Sequence, residues 1–542
     1  MKKMKTTILG LILVNSVFLN NQLEAKLESI AAPPQALAKK ALKKNSKGTF
    51  LGFQSNGSRG VTPDWFNLTP AEGSEGIGTN EAYKKYGEPK SEIIVAVIDG
   101  GTDVTHEDLE GKIWVNKGEV PNDGIDNDKN GFIDDIVGWN FIGNSKGAAK
   151  FFPVNGSFAN GIDYQAGDKK YQVGTDTLEV TRELKKFNNL IAQRTLTAAE
   201  KKEYDIVKAA YDRGNDNSGY YDLNSDTRKT IVGDNYSDLN EKNYGNNDVI
   251  GPDASHGTHV AGIISALRDN NQGTNGVASN VKIMTVRVVP DGDERDKDVA
   301  NGIRYAVDMG AKVINMSFGK AFSPFKTHVD AAVKYALSKG VILVHAAGND
   351  TKNNDTGRNF PNRFNLLDNS NGTVEFANWI EVGASASKKS SLAANFSNFG
   401  KKTVDLFAPG SNIYSSVPGN DYDYFSGTSM AAPVVAGSVA ATWGFAPKAE
   451  FKKIREIIFS TVRLYPGLSV FFAGTSREFS SLSITGGVVD LPSAFKAAKT
   501  IGGTTTTPPT QVPPEAKLGW QKRIIKAKEV AKAKLLFLSV YI

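Results

Sequence analysis

The sequence predicts an α/β domain in which helices cover both faces of a mostly parallel sheet. Five short runs rich in apolar residues fit strands that are buried on both faces. Helical patterns separate several of these runs, and such alternation is typical of a doubly wound sheet. The strand runs are 93–99, 282–289, 312–318, 341–347 and 380–385, and the helical patterns are 298–309, 328–338 and 429–443. In such sheets, sites form beyond the carboxyl ends of the strands.

Composition and charge restrict the function before any motif is considered. The chain has 542 residues, no cysteine and a formal net charge of +6. The lack of thiols excludes disulfides, thiolate metal sites and a cysteine nucleophile. Residues 1–50 carry +7 and residues 502–542 carry +5, so the body between them carries −6. A nucleic-acid enzyme would need its basic face on the body, so no nucleic-acid partner is expected.

The two ends of the chain predict segments outside the folded body. Residues 1–25 combine early lysines with a short apolar run, which is the pattern of a signal peptide. Residues 26–75 form an N-terminal extension, which we expect maturation to remove. Residues 502–514 form a Thr/Pro linker, and residues 515–542 form a basic tail. The prediction is a secreted protein, extracellular or periplasmic, with no transmembrane segment.

One region interrupts the α/β pattern of the body, which we predict to span 76–501. Residues 175–193 carry apolar side chains at helical spacing. Thr197 and Glu200 then form a capping box before a second helix. The pattern predicts a helical insertion at about 144–247 that loops out from the domain.

Three segments carry the residue types that nucleophilic catalysis needs. Asp99 ends the first buried run, His256 lies in SHGTHVAGI, and Ser429 lies in SGTSMAAPVVAG at the start of a helix of small residues. Acyl transfer uses a nucleophile, a base that takes its proton and a carboxylate that orients the base. A serine at a helix start also lies near the positive end of the helix dipole. Each segment alone is a weak signal, because strand-end aspartates and structural histidines are common.

Together, these segments resemble the aspartate, histidine and serine motifs of the subtilisin-like serine proteases. The resemblance covers roughly residues 78–500 apart from the insertion, and the order Asp, His, Ser excludes an α/β-hydrolase. It implies a subtilisin-like fold and an endopeptidase that hydrolyses protein or peptide substrates through an acyl-enzyme. It also implies that Asp99, His256 and Ser429 form a catalytic triad. Asn349, in AAGND, would donate to the oxyanion.

The resemblance also implies where a substrate would bind. An extended peptide would pair with the NMSFG segment by strand addition, with its side chains in alternate pockets. Gly319 suggests an open pocket that accepts a bulky apolar or aromatic side chain. The residues implied to line the primary specificity pocket are Ser317, Phe318, Gly319, Ala346, Ala347 and Gly348.

The segment 126–135 predicts a structural Ca²⁺ site. Oxygen-bearing side chains stand at positions 1, 3, 5 and 9 of this loop, glycine stands at 6, and position 7 offers a carbonyl. Oxygen ligands at this spacing suit a hard cation. An acidic turn without metal is the alternative, because position 12 is valine rather than glutamate. The predicted ligands are Asp126, Asp128, Asn130, Phe132 and Asp134.

A second function class must be weighed beside the endopeptidase. A subtilisin-like scaffold could serve as a catalytically inactive binding or surface module. The presence of the complete triad and of Asn349 argues against this alternative, because an inactive module has no need of all four side chains. We expect a monomer with no organic cofactor.

Overall fold

The computed structural model describes residues 62–143, part of 184–208, and 232–502, with gaps inside the last two ranges. The omitted positions are 185, 199, 202, 203, 206, 207, 237, 291–293, 321, 322, 324, 358 and 368–373. The predicted signal peptide, most of the extension, nearly all of the Thr/Pro linker and the basic tail lie outside the described residues.

A nine-stranded sheet forms the centre of the domain. Its strands are parallel to their neighbours except at one edge, where the strands Arg463–Leu464 and Gly487–Val488 are antiparallel. All five predicted strands belong to this sheet, and the prediction of a mostly parallel α/β fold is confirmed. The spatial order is Arg463–Leu464 (β12), Gly487–Val488 (β15), Leu406–Pro409 (β9), Trp379–Ser385 (β8), Ile342–Ala346 (β5), Val313–Met316 (β4), Ile93–Asp99 (β1), Val281–Arg287 (β3) and Gly138–Asn140 (β2).

Helices cover both faces of the sheet, as alternate residues of the central strand β1 indicate. Val95 and Val97 belong to one hydrophobic core, whereas Ala96 and Ile98 belong to the core on the opposite face. The first core contains residues of Thr79–Tyr86 (α1), Ser255–Ser265 (α2), Thr428–Phe445 (α5), Phe451–Ser460 (α6) and Leu491–Gly502 (α7). The second contains residues of Asp296–Asp308 (α3) and Lys326–Ser338 (α4). Within the described ranges, no helix has both the length and the apolar character needed to cross a membrane.

Within the described part of the chain, three small antiparallel pairs lie outside the main sheet. One of them leads directly into helix α5 and therefore positions its first residues. This hairpin consists of Ile413–Val417 (β10) and Asp421–Phe425 (β11). The other two pairs are Phe364–Asn365 (β6) with Val374–Glu375 (β7), and Ser469–Phe472 (β13) with Thr475–Glu478 (β14).

The folded body begins earlier than the predicted boundary at residue 76. Trp65 and Phe66 are 1% and 0% exposed and belong to the first hydrophobic core. The Asp64 carboxylate accepts hydrogen bonds from the Thr274 hydroxyl and from the Asn275 N–H. Residues from Asp64 onward are therefore integral to the domain.

The insertion leaves the body through two adjacent backbone segments. Asn140 and Asn246 exchange backbone hydrogen bonds of 2.8 and 3.0 Å. Residues 232–245, which we assigned to the insertion, pack on the body: the buried Lys297 ammonium binds Asp234 and Glu241 at 2.9 and 2.8 Å. The segment that leaves the body is therefore shorter than the predicted insertion, residues 144–247. Among the described residues of 184–208, most are helical, in agreement with the predicted hairpin.

Candidate active site

The end of β1 and the first turn of α2 bring Asp99 and His256 into contact. Asp99 Oδ1 lies 2.7 Å from His256 Nδ1 and accepts a second hydrogen bond of 2.7 Å from the Gly100 N–H. The two side chains are 2% and 6% exposed. In the neutral imidazole this contact places the proton on Nδ1, so Nε2 is the nitrogen that can accept a proton.

Glycines allow helix α2 to begin this close to the end of β1. A Cβ on Gly257 would lie 2.0 Å from Gly101 O and 3.3 Å from Asp99 Cβ. Gly101 has a φ of +140°, and a Cβ there would lie 2.2 Å from Ile250 O. Only residues without a side chain permit these approaches, so the glycines in GG and HG bring the histidine to the aspartate.

Arg287 supports this arrangement from the neighbouring strand, and sequence reasoning missed it. It ends β3 and lies in register with Asp99. Its Nε donates to Gly100 O at 2.7 Å, and its Nη1 donates to Asp248 O at 3.3 Å. The buried guanidinium thus joins the segment after the aspartate to the end of the insertion. The available signal was an arginine between Val286 and Val288 in a mostly apolar run.

Ser429 is the second residue of helix α5 and is 7% exposed. Its hydroxyl donates to Ser317 O at 3.1 Å, and the Ser317 hydroxyl donates to Ser429 O at 2.8 Å. This reciprocal pair fastens the start of the helix to the segment that follows β4. The first N–H groups of a helix have no partner within the helix, so the Ser429 hydroxyl lies in a region of positive potential.

Asn349 lies beside the start of α5 with its carboxamide held in one orientation. Its Oδ1 accepts from the Thr428 N–H at 2.8 Å and from the Thr428 hydroxyl at 2.9 Å. Its Nδ2 therefore faces the other way. A Cβ built on Gly427 would lie 3.4 Å from Asn349 Nδ2 and 3.5 Å from Ser429 N. Two N–H donors thus border one small space next to Ser429, an arrangement that suits a developing oxyanion.

The two segments predicted to line the specificity pocket continue from neighbouring parallel strands. Met316 of β4 is paired with His345 of β5, so residues 317–319 and 346–348 extend side by side from the sheet. Asn359, which sequence reasoning missed, contacts the second of these segments. Its Nδ2 donates to the carbonyls of Ala346 and Ala347 at 3.2 and 3.1 Å.

His259 connects the histidine helix to the hairpin that precedes Ser429. Its Nε2 lies 3.0 Å from Ile413 O and 3.1 Å from Asp423 O, and its ring stacks on Phe425 with centroids 4.3 Å apart. Burial, together with a smaller effect of the neighbouring His256, lowers the pKa of His259 to about 3. The residue is therefore a neutral packing element.

The predicted calcium loop brings together a different set of acidic residues. Carboxylate oxygens of Glu119, Asp128 and Asp135 lie within 4.8 Å of one another. Only Asp128 belongs to the predicted ligands, and Glu119 precedes the predicted loop 126–135.

Burial, together with a smaller effect of the nearby Asp128, raises the pKa of Asp135 to about 7. The Tyr305 hydroxyl donates to the Asp135 carboxylate at 2.7 Å. A cation among these oxygens would relieve the repulsion between crowded carboxylates.

The other predicted ligands have different contacts in this loop. The Asp126 carboxylate accepts from the N–H groups of Asn130 and Gly131 at 3.0 and 2.8 Å. Asp134 Oδ2 accepts from the Gly124 N–H at 3.0 Å. The Phe132 ring packs on aromatic neighbours such as Trp139, with centroids 5.0 Å apart.

Comparisons with known proteins identify the family to which this chain is similar. A family model described as the subtilase family matches residues 90–499. The chain is 41% identical over 187 residues to the thermophilic serine proteinase of Bacillus sp. (strain AK1), covering 34% of this chain and 42% of that protein. It is 38% identical over 215 residues to thermitase of Thermoactinomyces vulgaris, covering 38% of this chain and 70% of that protein. Subtilisin DY of Bacillus licheniformis is 35% identical over 208 residues, with coverage of 38% and 69%.

Proposed function

The chain belongs to the subtilase family of serine endopeptidases, and from this premise we propose that it is an exported enzyme that hydrolyses peptide bonds in proteins or peptides. Asp99, His256 and Ser429 would form its catalytic triad, with Asn349 as an oxyanion donor. The observation that carries the proposal is the 2.7 Å contact between Asp99 Oδ1 and His256 Nδ1, beside a serine at a helix start.

His256 would act as the base and Ser429 as the nucleophile. Asp99 holds the His256 ring with its Nε2 available to accept a proton. Ser429 turns its hydroxyl away from Ser317 O and toward that nitrogen, loses its proton and attacks the substrate carbonyl carbon. The imidazolium is stabilised by the buried Asp99 carboxylate, and it then protonates the leaving amine. Water, activated by the same histidine, hydrolyses the acyl-enzyme.

The oxyanion would be held by the two donors that border the space beside Gly427. The Ser429 N–H is a rigid main-chain donor, and Asn349 Nδ2 is fixed because Thr428 occupies the other end of the carboxamide. Preorganised donors of this kind stabilise charge that develops in the transition state. The substrate backbone would lie along residues 317–319, the continuation of β4.

A structural Ca²⁺ ion is part of the proposal. Glu119, Asp128 and Asp135 would hold it, because their oxygens converge and offer only hard ligands. The ion would offset the mutual repulsion of these carboxylates and brace the 115–135 loop against α3, whose Tyr305 hydroxyl donates to Asp135. The ion would stabilise the fold and would take no part in the reaction.

Export is the remaining part of the proposal and rests on the sequence of residues 1–25. The removed segment should end before Asp64, because Asp64 and Trp65 make contacts that the body needs. N-terminal sequencing of the protein recovered from the medium or periplasm tests this. An N-terminus beyond residue 65, or retention of the intact chain in the cytoplasm, would contradict it.

Hydrolysis of a denatured protein such as casein tests the proposed activity directly. The mature protein should release peptides, and the Ser429→Ala variant should not. A catalytically inactive scaffold would release none in either form. A matched control is Ser426→Ala: the Ser426 hydroxyl accepts from the Asn412 N–H at 2.8 Å and has no assigned catalytic role.

A further inference from the structure

We propose that the basic tail, residues 515–542, docks on the exposed aliphatic surface of the 115–135 loop in the same chain. The proposed endopeptidase function gives the tail no role, and the inference does not depend on catalysis. The docked tail would cover apolar side chains that the folded body leaves in contact with solvent.

The outer surface of the 115–135 loop concentrates exposed apolar side chains. Among the described residues, ten large apolar side chains are exposed, and four of them lie in this loop. Val120, Ile125 and Ile133 are 55%, 57% and 50% exposed, and Val115 is 40% exposed. Covering such side chains is favourable by about 25 cal/mol for each Å² of apolar surface removed from water. The loop therefore offers a partner an apolar surface.

Hydrogen bonds within the loop hold three of these exposed residues close together. The Val120 N–H donates to the Asn127 carboxamide at 2.7 Å, and the Gly124 N–H donates to the Asp134 carboxylate at 3.0 Å. Gly124 precedes the second exposed residue along the chain, and Asp134 follows the third. The Glu119 carboxylate accepts from the N–H groups of both Asn127 and Asp134, at 2.9 and 3.1 Å. The surface is thus compact and fixed by the loop itself.

The charges of the loop and of the tail are complementary. Residues 115–135 carry six carboxylates and two lysines, which is a net charge of −4. A bound Ca²⁺ would leave the loop at −2. Residues 515–542 carry seven basic residues and two glutamates, which is a net charge of +5. Opposite charges attract over distances of about 8 to 10 Å at moderate salt, so they favour the approach of the tail to this loop.

The tail also carries an apolar stripe that fits an aliphatic surface. Its apolar residues recur at intervals of three or four positions, which is the spacing of one face of a helix. The stripe consists of Trp520, Ile524, Ala527, Ala531, Leu535, Leu538 and Ile542. All seven basic residues lie outside it. A helix over these residues would place its apolar face on the loop and its cations beside the loop carboxylates.

The linker is long enough to bring the tail to the loop. Lys499, in the last turn of α7, donates to Tyr86 O at 2.8 Å. The Ser279 hydroxyl donates to the nearby Glu88 carboxylate, and Ser279 O accepts from Lys112 Nζ at 2.7 Å. These contacts connect the end of α7 to the residues just before the loop. The Thr/Pro linker spans about 40 Å when extended, and such a tether raises the effective concentration of the tail to about the mM range.

The distance between two spin labels tests the proposal in a chain that retains the tail and carries Ser429→Ala to prevent self-digestion. The native chain has no cysteine, so Lys117→Cys and Ala533→Cys would carry the only labels. Lys117 is exposed in the loop, and Ala533 lies opposite the apolar stripe at helical spacing. By double electron–electron resonance we expect a narrow distance distribution that does not depend on protein concentration. It should broaden in about 1 M NaCl, which screens the charges.

Substitutions in the loop test which surface binds the tail. Val120→Ser, Ile125→Ser and Ile133→Ser together should abolish the narrow distribution. The matched control is Leu464→Ser with Phe471→Ser, because these side chains are 60% and 72% exposed but lie outside the loop. This control should leave the distribution unchanged, and broadening in the control as well as in the loop variant would exclude the loop as the specific site.

Substitutions in the tail give a second test that leaves the folded body unaltered. Leu535→Ser with Leu538→Ser should abolish the narrow distribution, because both residues belong to the stripe. Leu536→Ser removes an apolar side chain outside the stripe and should have no such effect. An equal loss in both would contradict docking through one face of the tail.

Three further results would overturn the inference. One is a broad distribution in the parent protein. Another is a short distance that appears only in mixtures of singly labelled chains, which would assign the surface to a second copy of the protein. The third is a distribution that narrows only when phosphatidylglycerol vesicles are added, which would make the tail a membrane anchor. All measurements use the Ser429→Ala protein, so failure of the proposed endopeptidase function would leave their outcome unchanged.

Discussion

Thr428 donates two hydrogen bonds to a single atom, Asn349 Oδ1, from its N–H at 2.8 Å and from its hydroxyl at 2.9 Å. The same hydroxyl accepts from the Gly348 N–H at 3.0 Å. The residue before the proposed nucleophile therefore determines which way the proposed oxyanion donor points. It also ties the start of α5 to the end of β5.

Replacing Thr428 by valine should lower turnover without abolishing it. Valine keeps the shape and the N–H donor but loses the hydroxyl, so the Asn349 carboxamide gains freedom to turn. We expect kcat to fall about tenfold with little change in KM, which is less than the loss of the donor itself in Asn349→Ala. Steady-state kinetics on a peptide anilide measure this. Thr428→Ser retains the hydroxyl and should remain near wild type, and an equal loss in both variants would refute the role of the hydroxyl.

Stability should depend on pH through His259. Its folded pKa of about 3 lies below the unfolded value of about 6.5, so the unfolded chain binds more protons between these values. The free energy of unfolding should therefore rise with pH across this window, and His259 should account for a loss of about 2 kcal/mol between pH 7 and pH 5.

Urea unfolding at pH 7 and pH 5 measures this dependence, in a Ser429→Ala background that prevents self-digestion. His259→Gln retains a donor for Ile413 O and has no proton to gain. It should lose about 2 kcal/mol less than the parent between the two pH values. Identical losses in both proteins would show that His259 does not carry the pH dependence.

Removal of divalent cations should destabilise the protein through the 115–135 loop. If a bound cation contributes about 2 to 3 kcal/mol, EDTA should lower the Tm by roughly 3 °C, and added Ca²⁺ should restore it. Asp128→Asn should show a smaller shift, because it removes one of the converging carboxylates. Differential scanning calorimetry measures the shift, with Asp123→Asn as a control. An unchanged Tm in EDTA would exclude a structural ion.

Most of the insertion should be dispensable, whereas its final part should not. Replacing residues 145–230 by a flexible Gly/Ser linker keeps the Asn140–Asn246 bridge, so kcat/KM should stay within about twofold of wild type. Extending the deletion to 245 also removes Asp234, Glu241 and Tyr244. Lys297 would then be a buried charge without its carboxylates, at a cost of about 3 kcal/mol or more.

Assays on small peptide anilides and chemical unfolding compare the two deletions. Equal stability of the short and long deletions would contradict the proposed anchoring. Loss of activity in the short deletion would show that residues 145–230 contribute to the site.

The parts of the account that sequence could predict are those that depend on local pattern. The strand Ile93–Asp99 was located to the residue, because an unbroken apolar run that ends before two glycines suits a strand covered on both faces. His256 and Ser429 were identified because each begins a helix of small residues within a motif. The order of the three motifs along the chain indicated a subtilisin-like protease, which no single segment could indicate.

The parts that sequence could not predict depend on contacts between distant segments. Asn359 lies 40 residues after Gly319, and no spacing rule relates them. Glu119 and Asp135 converge because the loop folds back on itself, whereas the sequence pattern relates only alternate positions from Asp126. The short strand Gly138–Asn140 was missed because three residues are too few to show a period.

The most direct test of the central claim is covalent labelling by a fluorophosphonate probe. The mature enzyme should be labelled at Ser429, and mass spectrometry of the labelled peptide identifies the site. Ser426→Ala should be labelled as the wild type is, whereas Ser429→Ala, shown to be folded by circular dichroism, should not be labelled. Absence of labelling in the folded wild type, or labelling that persists in Ser429→Ala, would contradict the assignment of Ser429 as the nucleophile.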